Sequence, residues 1–309
     1  MKKVKRLFIF AGYDKDNIID DTLVWYLNAL SKLGDIVLIM DCDVQDTSKL
    51  ESVKNILHIE TKRHGEYDFG SYKRGYMWAQ SNNLLDKYDW IYLVNDSVYG
   101  PLFDLEPCLN NLESKGTDLT GLTSYYDEFT PVHIQSWFVG LSHNIATSNV
   151  LYNFMQDVGP RKNKWEIITK YEVGLSRHLL QSGYKMSSMF TESERYHTVY
   201  QKPRIILENL IPFIKKAGLE NIGGTLYLLP YTSDEFIKMI FEHAKRTGIK
   251  YPQNEADISV PVKIYRLSLL SIPICTIYKT PKMKSHPDVY TVYLFDKIRI
   301  LKIIKNNIA

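Results

Sequence analysis

An aspartate that directly follows a strand of apolar residues is the side chain of this sequence best suited to hold a divalent metal ion. Residues Trp90–Val94 are β-branched, aliphatic or aromatic, which predicts a buried strand, and Asn95, Asp96 and Ser97 end it. Open α/β sheets bind ligands at the carboxyl ends of their strands, and Mg²⁺ or Mn²⁺ prefers oxygen ligands such as carboxylates. Asp96 is therefore the candidate metal ligand, although these residue types also suit a turn that only caps the strand.

A glutamate in a later helical segment is the candidate general base. Residues 164–182 have helical spacing, and Val173 and Leu175 belong to the apolar side that faces the core. Glu172 lies near the start of this apolar stretch, and its carboxylate could remove a proton from a substrate hydroxyl group in a transfer reaction. An acidic residue near a helix start also complements the helix dipole, which would be a structural role only.

Polar and aromatic side chains alternate at the entry of another predicted strand. Period two places His133, Gln135 and Trp137 on one face of this strand. Two polar groups beside an indole suggest a wall that binds sugar. A histidine whose hydrogen bonds are satisfied inside the core or at an edge explains His133 equally well.

Charged residues near two further element ends suggest a site for a nucleotide diphosphate. Asp68, Gly70 and Lys73 surround the predicted start of a helix, and helix N-termini favour anions such as phosphate. Asp41 and Asp43 follow the second predicted strand, at the expected ligand-binding edge. A plain capped helix start explains the first group nearly as well.

The elements that must position these residues alternate between strand and helix, which predicts a doubly wound, mostly parallel α/β sheet. Near-continuous apolar strands indicate that helices cover both faces. The predicted strands are 7–11, 36–40, 55–60, 90–94, 119–123 and 136–141, and the predicted helices are 20–33, 72–81, 150–158, 164–182, 203–217 and 232–247. We therefore predict an α/β domain over residues 1–200 and a mainly helical C-terminal region over residues 201–309.

Composition restricts the class of protein. The chain has 309 residues, of which 45% are hydrophobic and 24% are charged, as in a globular protein. Its net charge of +3 is too small to indicate a nucleic-acid-binding protein. Three distant cysteines suit free thiols in a reducing compartment, and we expect a cytoplasmic protein without a signal peptide or membrane span. Only Ala11-Gly12 follows strand one, so the glycine motif of a dehydrogenase is missing, as is a P-loop.

The end of the chain is basic and apolar. Isoleucines, leucines and aromatic residues mix with lysine and arginine over residues 293–305. Such a segment could lie on the anionic inner leaflet of a membrane, which would bring the protein to a lipid-linked acceptor. Its apolar residues do not form one clean face, so a strand or a packed terminal helix fits as well.

Several of these stretches together make the chain resemble the rhamnan synthesis protein F family of bacterial polysaccharide biosynthesis. The matching stretches occur in the family's order and are 67–73, 94–102, 133–138, 171–176 with Gly183-Tyr184, and a possible fifth at 212–215. The resemblance implies a GT-A-like glycosyltransferase that extends a cell-surface polysaccharide or lipid-linked glycan. It also implies a nucleotide-diphosphate sugar as donor, for which family members named for rhamnan use dTDP-L-rhamnose with inversion at the anomeric carbon.

The resemblance also suggests roles for the candidate residues. Asp96 would hold Mg²⁺ or Mn²⁺ and the diphosphate, and Glu172 would be the base. The usual GT-A motif has a second Asp where this chain has Asn95, and Val173 stands where many inverting enzymes have a carboxylate. These two departures favour an alternative, a non-catalytic subunit that binds sugars or nucleotide sugars within a synthesis complex. The remaining assignments are Asp41, Asp43, Asp68, Gly70, Lys73, Asn95 and Ser97 near the nucleotide, and His133, Gln135 and Trp137 near the sugars.

Overall fold

A mixed eight-stranded sheet lies at the centre of the computed structural model, which describes residues 4–161, 163–192, 197–224, 228–252, 262–269, 272–280, 288–294 and 298–305. Its eight strands are β1 (Arg6–Gly12), β2 (Asp35–Met40), β3 (Ile56–Thr61), β4 (Trp90–Asn95), β6 (Leu119–Tyr125), β7 (His133–Ile134), β8 (Phe138–Ser142) and β9 (Met186–Glu192), and β5 (Val98–Tyr99) and β10 (Ile214–Lys215) form a separate two-stranded sheet. The helices are α1 (Asp21–Ser31), α2 (Tyr67–Ser81), α3 (Glu106–Glu113), α4 (His143–Ala146), α5 (Asn149–Gln156), α6 (Lys164–Ile167), α7 (Val173–Gln181), α8 (Thr198–Gln201), α9 (Pro203–Glu208) and α10 (Asp234–Thr247).

The sheet has the order β3-β2-β1-β4-β8-β6-β7, and β9 pairs with β6. The pairings β3–β2, β2–β1, β1–β4 and β6–β9 are parallel, whereas β8 runs antiparallel to β4 and β6, and β7 antiparallel to β6. Parallel neighbours joined by helices confirm the predicted α/β class. The carboxyl ends of β1, β2 and β4 consequently meet at one edge, where the candidate residues of β2 and β4 were expected.

Alternate side chains of β1 fill two separate cores. Phe8 and Phe10 pack into the cluster beneath α1 and α3, and Leu7 and Ile9 into the cluster beneath α2, α5 and α7. Gly75 lets α2 approach the sheet closely, because a Cβ there would lie 2.4 Å from Cγ2 of Ile9. Burial on both faces explains why these strands are apolar throughout rather than alternating.

Helix boundaries differ from the prediction at two candidate sites. Helix α2 begins at Tyr67 rather than at residue 72, so Asp68 lies inside the first turn and is not an N-cap. The predicted helix 164–182 is divided, because a π-helical segment, Ile168–Glu172, separates α6 from α7. Such segments are rare, occur often at functional sites and carry no clear sequence signal.

The predicted helix 203–217 is wrong in its second half. Helix α9 ends at Glu208, and Pro212 lacks the N–H that a continuing helix would need. Ile214 and Lys215 instead form β10, which pairs antiparallel with Tyr99 and Val98 of β5. This pairing brings Lys215 and Lys216 close to Ser97 and Asp96, at the carboxyl end of β4.

The last part of the chain is a four-stranded antiparallel sheet and not the helical region that we predicted. Its strands pair in sequence order and are β11 (Val262–Leu269), β12 (Ile272–Thr280), β13 (Asp288–Leu294) and β14 (Ile298–Lys305). β-branched and aromatic residues favour strands, and successive hairpins satisfy their backbone groups. The helix predicted at 232–247 is confirmed as α10. Of the basic tail 293–309, residues 295–297 and 306–309 lie outside the described residues.

Candidate functional site

Two neighbouring cavities lie at the sheet edge where β1, β2 and β4 end. Each has a volume of about 410 Å³, and Tyr67 and Asp68 line both of them. We call them the Asp96 cavity and the Glu172 cavity. The Asp96 cavity is lined by Gly12, Tyr13, Asp41, Arg63, Gly65, Tyr67, Asp68, Ser71 and Asp96. The Glu172 cavity includes Asn95, Ser97, Tyr125, Asp127, Phe129, His133, Gln135, Ser136, Trp165, Glu172, His197, Tyr200 and Lys215.

The carboxylate of Asp96 is anchored to the neighbouring strand and faces a lysine. Its Oδ2 accepts a hydrogen bond of 3.1 Å from the backbone N–H of Tyr13 and lies 3.7 Å from Nζ of Lys216. Burial raises the pKa of Asp96, and the nearby ammonium of Lys216 offsets only part of that rise. A cation or an added hydrogen-bond donor beside this group would therefore favour its ionised form.

The buried amide of Asn95 connects the two cavities. Its Nδ2 donates to Oδ2 of Asp68 at 2.8 Å, and its Oδ1 accepts from the N–H and the hydroxyl of Ser97 at 3.1 and 2.5 Å. The ammonium of Lys215 donates to Oγ of Ser97 at 2.8 Å. Asn95 is thus a neutral bridge that holds the first turn of α2 against the end of β4.

Glu172 forms a hydrogen-bonded pair with the predicted sugar-binding histidine. Its Oε1 lies 3.4 Å from Nε2 of His133, and its Oε2 accepts a hydrogen bond from the hydroxyl of Ser136. Nδ1 of His133 lies 2.9 Å from the carbonyl oxygen of Pro131, which fixes the ring. The N–H of Ile134 donates to Oγ of Ser176 on α7 at 3.0 Å, so α7 is held in register with β7.

The two partners shift each other's pKa in opposite directions. Burial by itself raises the pKa of Glu172, but the hydrogen bonds from His133 and Ser136 outweigh it and the net pKa is below the ordinary value. Burial lowers the pKa of His133, but the hydrogen bond to Glu172 outweighs it and the net pKa is above the ordinary value. Glu172 is therefore ionised at neutral pH, as a general base must be.

The alternation predicted for residues 133–137 fails after two residues. Strand β7 ends at Ile134 and β8 begins at Phe138, so the intervening residues turn. Gln135 lines the Glu172 cavity, whereas Trp137 is buried and donates to Oγ1 of Thr123 at 2.9 Å. Trp137 belongs to the core beneath α1 and α3 and is not a lining residue of the cavity.

The two aspartates after β2 have different surroundings. Oδ1 of Asp41 accepts hydrogen bonds of 2.7 Å from the N–H groups of His64 and Gly65, and Asp41 lines the Asp96 cavity. Asp43 accepts a hydrogen bond from the N–H of Arg63 at 3.1 Å and does not line either cavity. Only Asp41 is therefore placed to contact a ligand in these cavities.

Lys73 and Gly70 lie away from the cavities. The ammonium of Lys73 donates to the carbonyl oxygens of Gln156 and Val158 at 2.9 and 2.6 Å, where it closes the end of α5. Gly70 faces the ring of His64, because a Cβ there would lie 2.9 Å from Cε1. The structure thus gives these two residues structural contacts instead of the contacts with a nucleotide that we predicted.

Sequence reasoning missed three cations near the candidate residues. Lys215 reaches the Glu172 cavity and Lys216 reaches Asp96, both from the segment that was predicted as helix. The guanidinium of Arg63 lies over the ring of Tyr13, 5.2 Å from its centroid, at the Asp96 cavity. The possible match at residues 212–215 was the only sequence signal for Lys215, and nothing local marked the other two.

Oxygen donors of the kind that Mg²⁺ or Mn²⁺ prefers line the Asp96 cavity. They are the carboxylates of Asp41, Asp68 and Asp96, and Arg63 lies among the same lining residues. Among the described residues, these three carboxylates do not bring ligand atoms within 4.8 Å of one another, so a metal ion at this site stays a prediction.

A second acidic cluster lies near the start of α1. Asp14, Asp20 and His243 bring potential ligand atoms within 4.8 Å of one another among the described residues. The guanidinium of Arg246 already bonds Asp14 and Asp20 at 2.6 and 3.1 Å. Because a cation of the protein neutralises this cluster, it is a structural ion-pair group that ties α10 to the loop after β1.

Comparison with known proteins decides the family. A family model described as rhamnan synthesis protein F matches residues 36–298, which is most of the chain and includes all lining residues of the Glu172 cavity. The chain belongs to this family. Rhamnan synthesis is a role in polysaccharide biosynthesis, with a sugar donor and a glycan acceptor as partners. No curated protein matches the chain. Among the described helices, none is long and apolar enough to cross a membrane.

Proposed function

We propose that the protein is an inverting glycosyltransferase that moves a sugar from a nucleotide-diphosphate donor to a growing glycan, with L-rhamnose from dTDP-L-rhamnose as the first donor to test. One observation carries the proposal. Two acidic cavities share the wall formed by Tyr67 and Asp68, and the second of them contains an ionised glutamate paired with a histidine. A donor that extends from one cavity to the other, past Tyr67 and Asp68, would have its phosphates in the Asp96 cavity and its sugar in the Glu172 cavity.

On the donor side, the Asp96 cavity would bind the nucleotide. The carboxylate of Asp41 and the exposed ring of Tyr13 line this cavity and would contact ribose and base, and Arg63 would add positive charge. Asp68 and Asp96 would hold Mg²⁺ or Mn²⁺, which when bound neutralises the departing diphosphate. Lys216, beside Asp96, adds a fixed positive charge to the same region.

On the acceptor side, Glu172 would remove the proton of the attacking hydroxyl. That oxygen forms a bond to the anomeric carbon, the bond from this carbon to the phosphate oxygen breaks, and the nucleoside diphosphate leaves with the electron pair. The ring of His133 and the hydroxyl of Ser136 would orient the carboxylate through their hydrogen bonds. A single base on the face opposite the leaving group gives inversion at the anomeric carbon.

A donor screen tests the proposal. Thermal shift with dTDP-, UDP- and GDP-sugars, with and without Mn²⁺, reports nucleotide class and metal need together, because a ligand that binds only the folded state raises its melting point. Asp96→Asn should reduce the stabilisation by the matching donor, and Asp43→Asn is the matched control because Asp43 does not line either cavity. Absence of stabilisation by any of these donors in the wild-type protein would contradict the proposal.

A non-catalytic subunit that binds sugars or nucleotide sugars is the second candidate. Its support is that Asn95 is a neutral bridge and that Val173 replaces a second carboxylate beside Glu172. Donor binding by calorimetry without nucleotide release, tested with rhamnose oligosaccharides as acceptors, would favour this candidate. Nucleotide release that depends on both the acceptor and Glu172 would exclude it.

A further inference from the structure

Three exposed aromatic rings surround the mouth of the Glu172 cavity. The exposed fractions are 86% for Phe129, 69% for Trp165 and 51% for Tyr67, and all three residues line the cavity. Large apolar side chains that share one exposed site commonly mark a binding surface, whereas single ones need no explanation. We call these three residues the aromatic rim.

The backbone holds the rim in place. Tyr67 has a φ of +58°, in the left-handed region that residues with a bulky side chain rarely adopt. The carboxylate of Asp127 accepts hydrogen bonds from the N–H groups of Phe129 and Thr130 at 2.8 and 2.6 Å, which closes the loop that presents the Phe129 ring. The hydrogen bonds of Asp127 and the left-handed conformation of Tyr67 thus restrict the backbone that carries two of the three rings.

The floor of the same cavity has the opposite character. Glu172, His133 and Gln135 bring a carboxylate, an imidazole and an amide to its inner part. A sugar presents both characters at once, since its hydroxyl groups form hydrogen bonds and its C–H faces pack on aromatic rings. A chain of sugars could therefore place one unit on the polar floor and the next units on the rim.

We propose that the aromatic rim is an acceptor subsite that binds a rhamnose-containing glycan over two or more sugar units. The inference rests on the proposed function, because it assigns the Glu172 cavity to the acceptor. It adds the size of the acceptor: an oligosaccharide should bind better than a single sugar, since only the longer chain reaches the rings. Family membership in rhamnan synthesis determines the choice of rhamnose.

The test compares two acceptor probes by calorimetry, methyl α-L-rhamnoside and a synthetic rhamnose trisaccharide. We expect the trisaccharide to bind the wild-type protein about 10-fold more tightly, an amount equal to about 1.4 kcal/mol. Trp165→Ala and Phe129→Ala should each remove most of this gain while binding of the methyl glycoside is unchanged. Leu210→Ala is the matched control, because Leu210 is 68% exposed and does not line either cavity.

Three results would overturn the inference: no binding of the trisaccharide, equal affinity for the two probes, or a full gain in both ring variants. Since calorimetry needs no donor and no turnover, its result is independent of catalysis. If the wild-type protein binds the trisaccharide but releases no nucleotide, the proposed transferase activity is refuted and the proposed acceptor subsite is not. Nucleotide release that is equally fast with the trisaccharide and the methyl glycoside would refute the subsite but leave the transferase.

Discussion

Replacing Arg246 by methionine should destabilise the protein, because Arg246 on α10 forms ion pairs with three aspartates in and after the loop that follows β1. The guanidinium bonds Asp14 and Asp16 at 2.6 Å each and Asp20 at 3.1 Å. The substitution keeps much of the aliphatic stem of Arg246 and removes the charge. Helix α10 would then lose its ionic contact with the loop that follows β1, and the buried carboxylate of Asp14 would lose its cation.

The magnitude follows from the burial of each partner. Removing one member of a buried ion pair costs about 3–5 kcal/mol, whereas an exposed pair contributes about 0–1 kcal/mol. Asp14 is 5% exposed and Asp20 is 14% exposed, whereas Asp16 is 46% exposed, so most of the loss arises at Asp14 and Asp20. Arg246 itself is 27% exposed, and solvent screening reduces the figure, so we expect a loss of about 2–3 kcal/mol.

Urea unfolding at pH 7 measures this loss as a change in the free energy of unfolding. Lys238→Met is the matched control in the same helix, because the Lys238–Glu242 pair is exposed and its loss should cost less than about 0.5 kcal/mol. Adding Asp14→Asn to Arg246→Met should recover part of the stability, since the buried charge is then removed. A loss below about 1 kcal/mol in Arg246→Met, or no recovery in the double variant, would refute this reasoning.

The pH dependence of the wild-type protein provides a second check at the same cluster. Burial raises the pKa of Asp20, but the hydrogen bond from His243 outweighs it and the net pKa is well below the ordinary value. A carboxyl whose pKa is lowered by folding stabilises the protein above the unfolded pKa of about 3.9, and this contribution is lost as the pH falls through the folded value. In Asp20→Asn, stability should therefore fall less on acidification than in the wild type.

Three further predictions concern activity and the membrane. Glu172→Gln should lower transfer by about 10²–10⁴-fold, the usual contribution of a general base, while donor binding by calorimetry changes little; full activity would remove Glu172 from this role. Lys216→Met should raise the pKa of Asp96 further, because the positive charge that lowers this pKa is lost. On acidification, the thermal stabilisation by the donor should therefore disappear at a higher pH in the variant than in the wild type. An unchanged pH profile would contradict the contact between Lys216 and Asp96. Deleting residues 293–309 should weaken binding to anionic vesicles if the basic tail contacts the membrane, and unchanged binding in a co-sedimentation assay would exclude that contact.

The amino-acid sequence by itself determined most of the α/β core. Continuous apolar strands at Leu7–Ala11 and Trp90–Val94, separated by amphipathic helices, can be satisfied only by a sheet covered on both faces. Polar residues end the strands of this pattern, and Asp41 after β2 and Asp96 after β4 both lie at the predicted edge of the sheet. Local propensity and periodicity are sufficient for this because they act within a few residues.

Tertiary structure decided which side chains meet. Glu172 reaches His133 because a π-helical segment precedes α7 and because α7 packs on β7, and neither feature has a local sequence signal. Trp137 lies in the core and not in the cavity, because the chain turns between Ile134 and Phe138, where the predicted strand would have continued. Lys215 joins Ser97 across 118 positions, a contact that depends on the short pairing of β10 with β5.

The C-terminal sheet shows the same division. Residues 262–305 contain many β-branched and aromatic residues, but a strand is stable only when a partner strand satisfies its backbone groups. Sequence therefore determined most elements of the α/β core and the edge at which ligands can bind, but not the strands of the C-terminal sheet. Packing between distant elements determined the two cavities, their charges and the aromatic rim, because those contacts depend on the positions of whole helices and strands and not on the residues next in line.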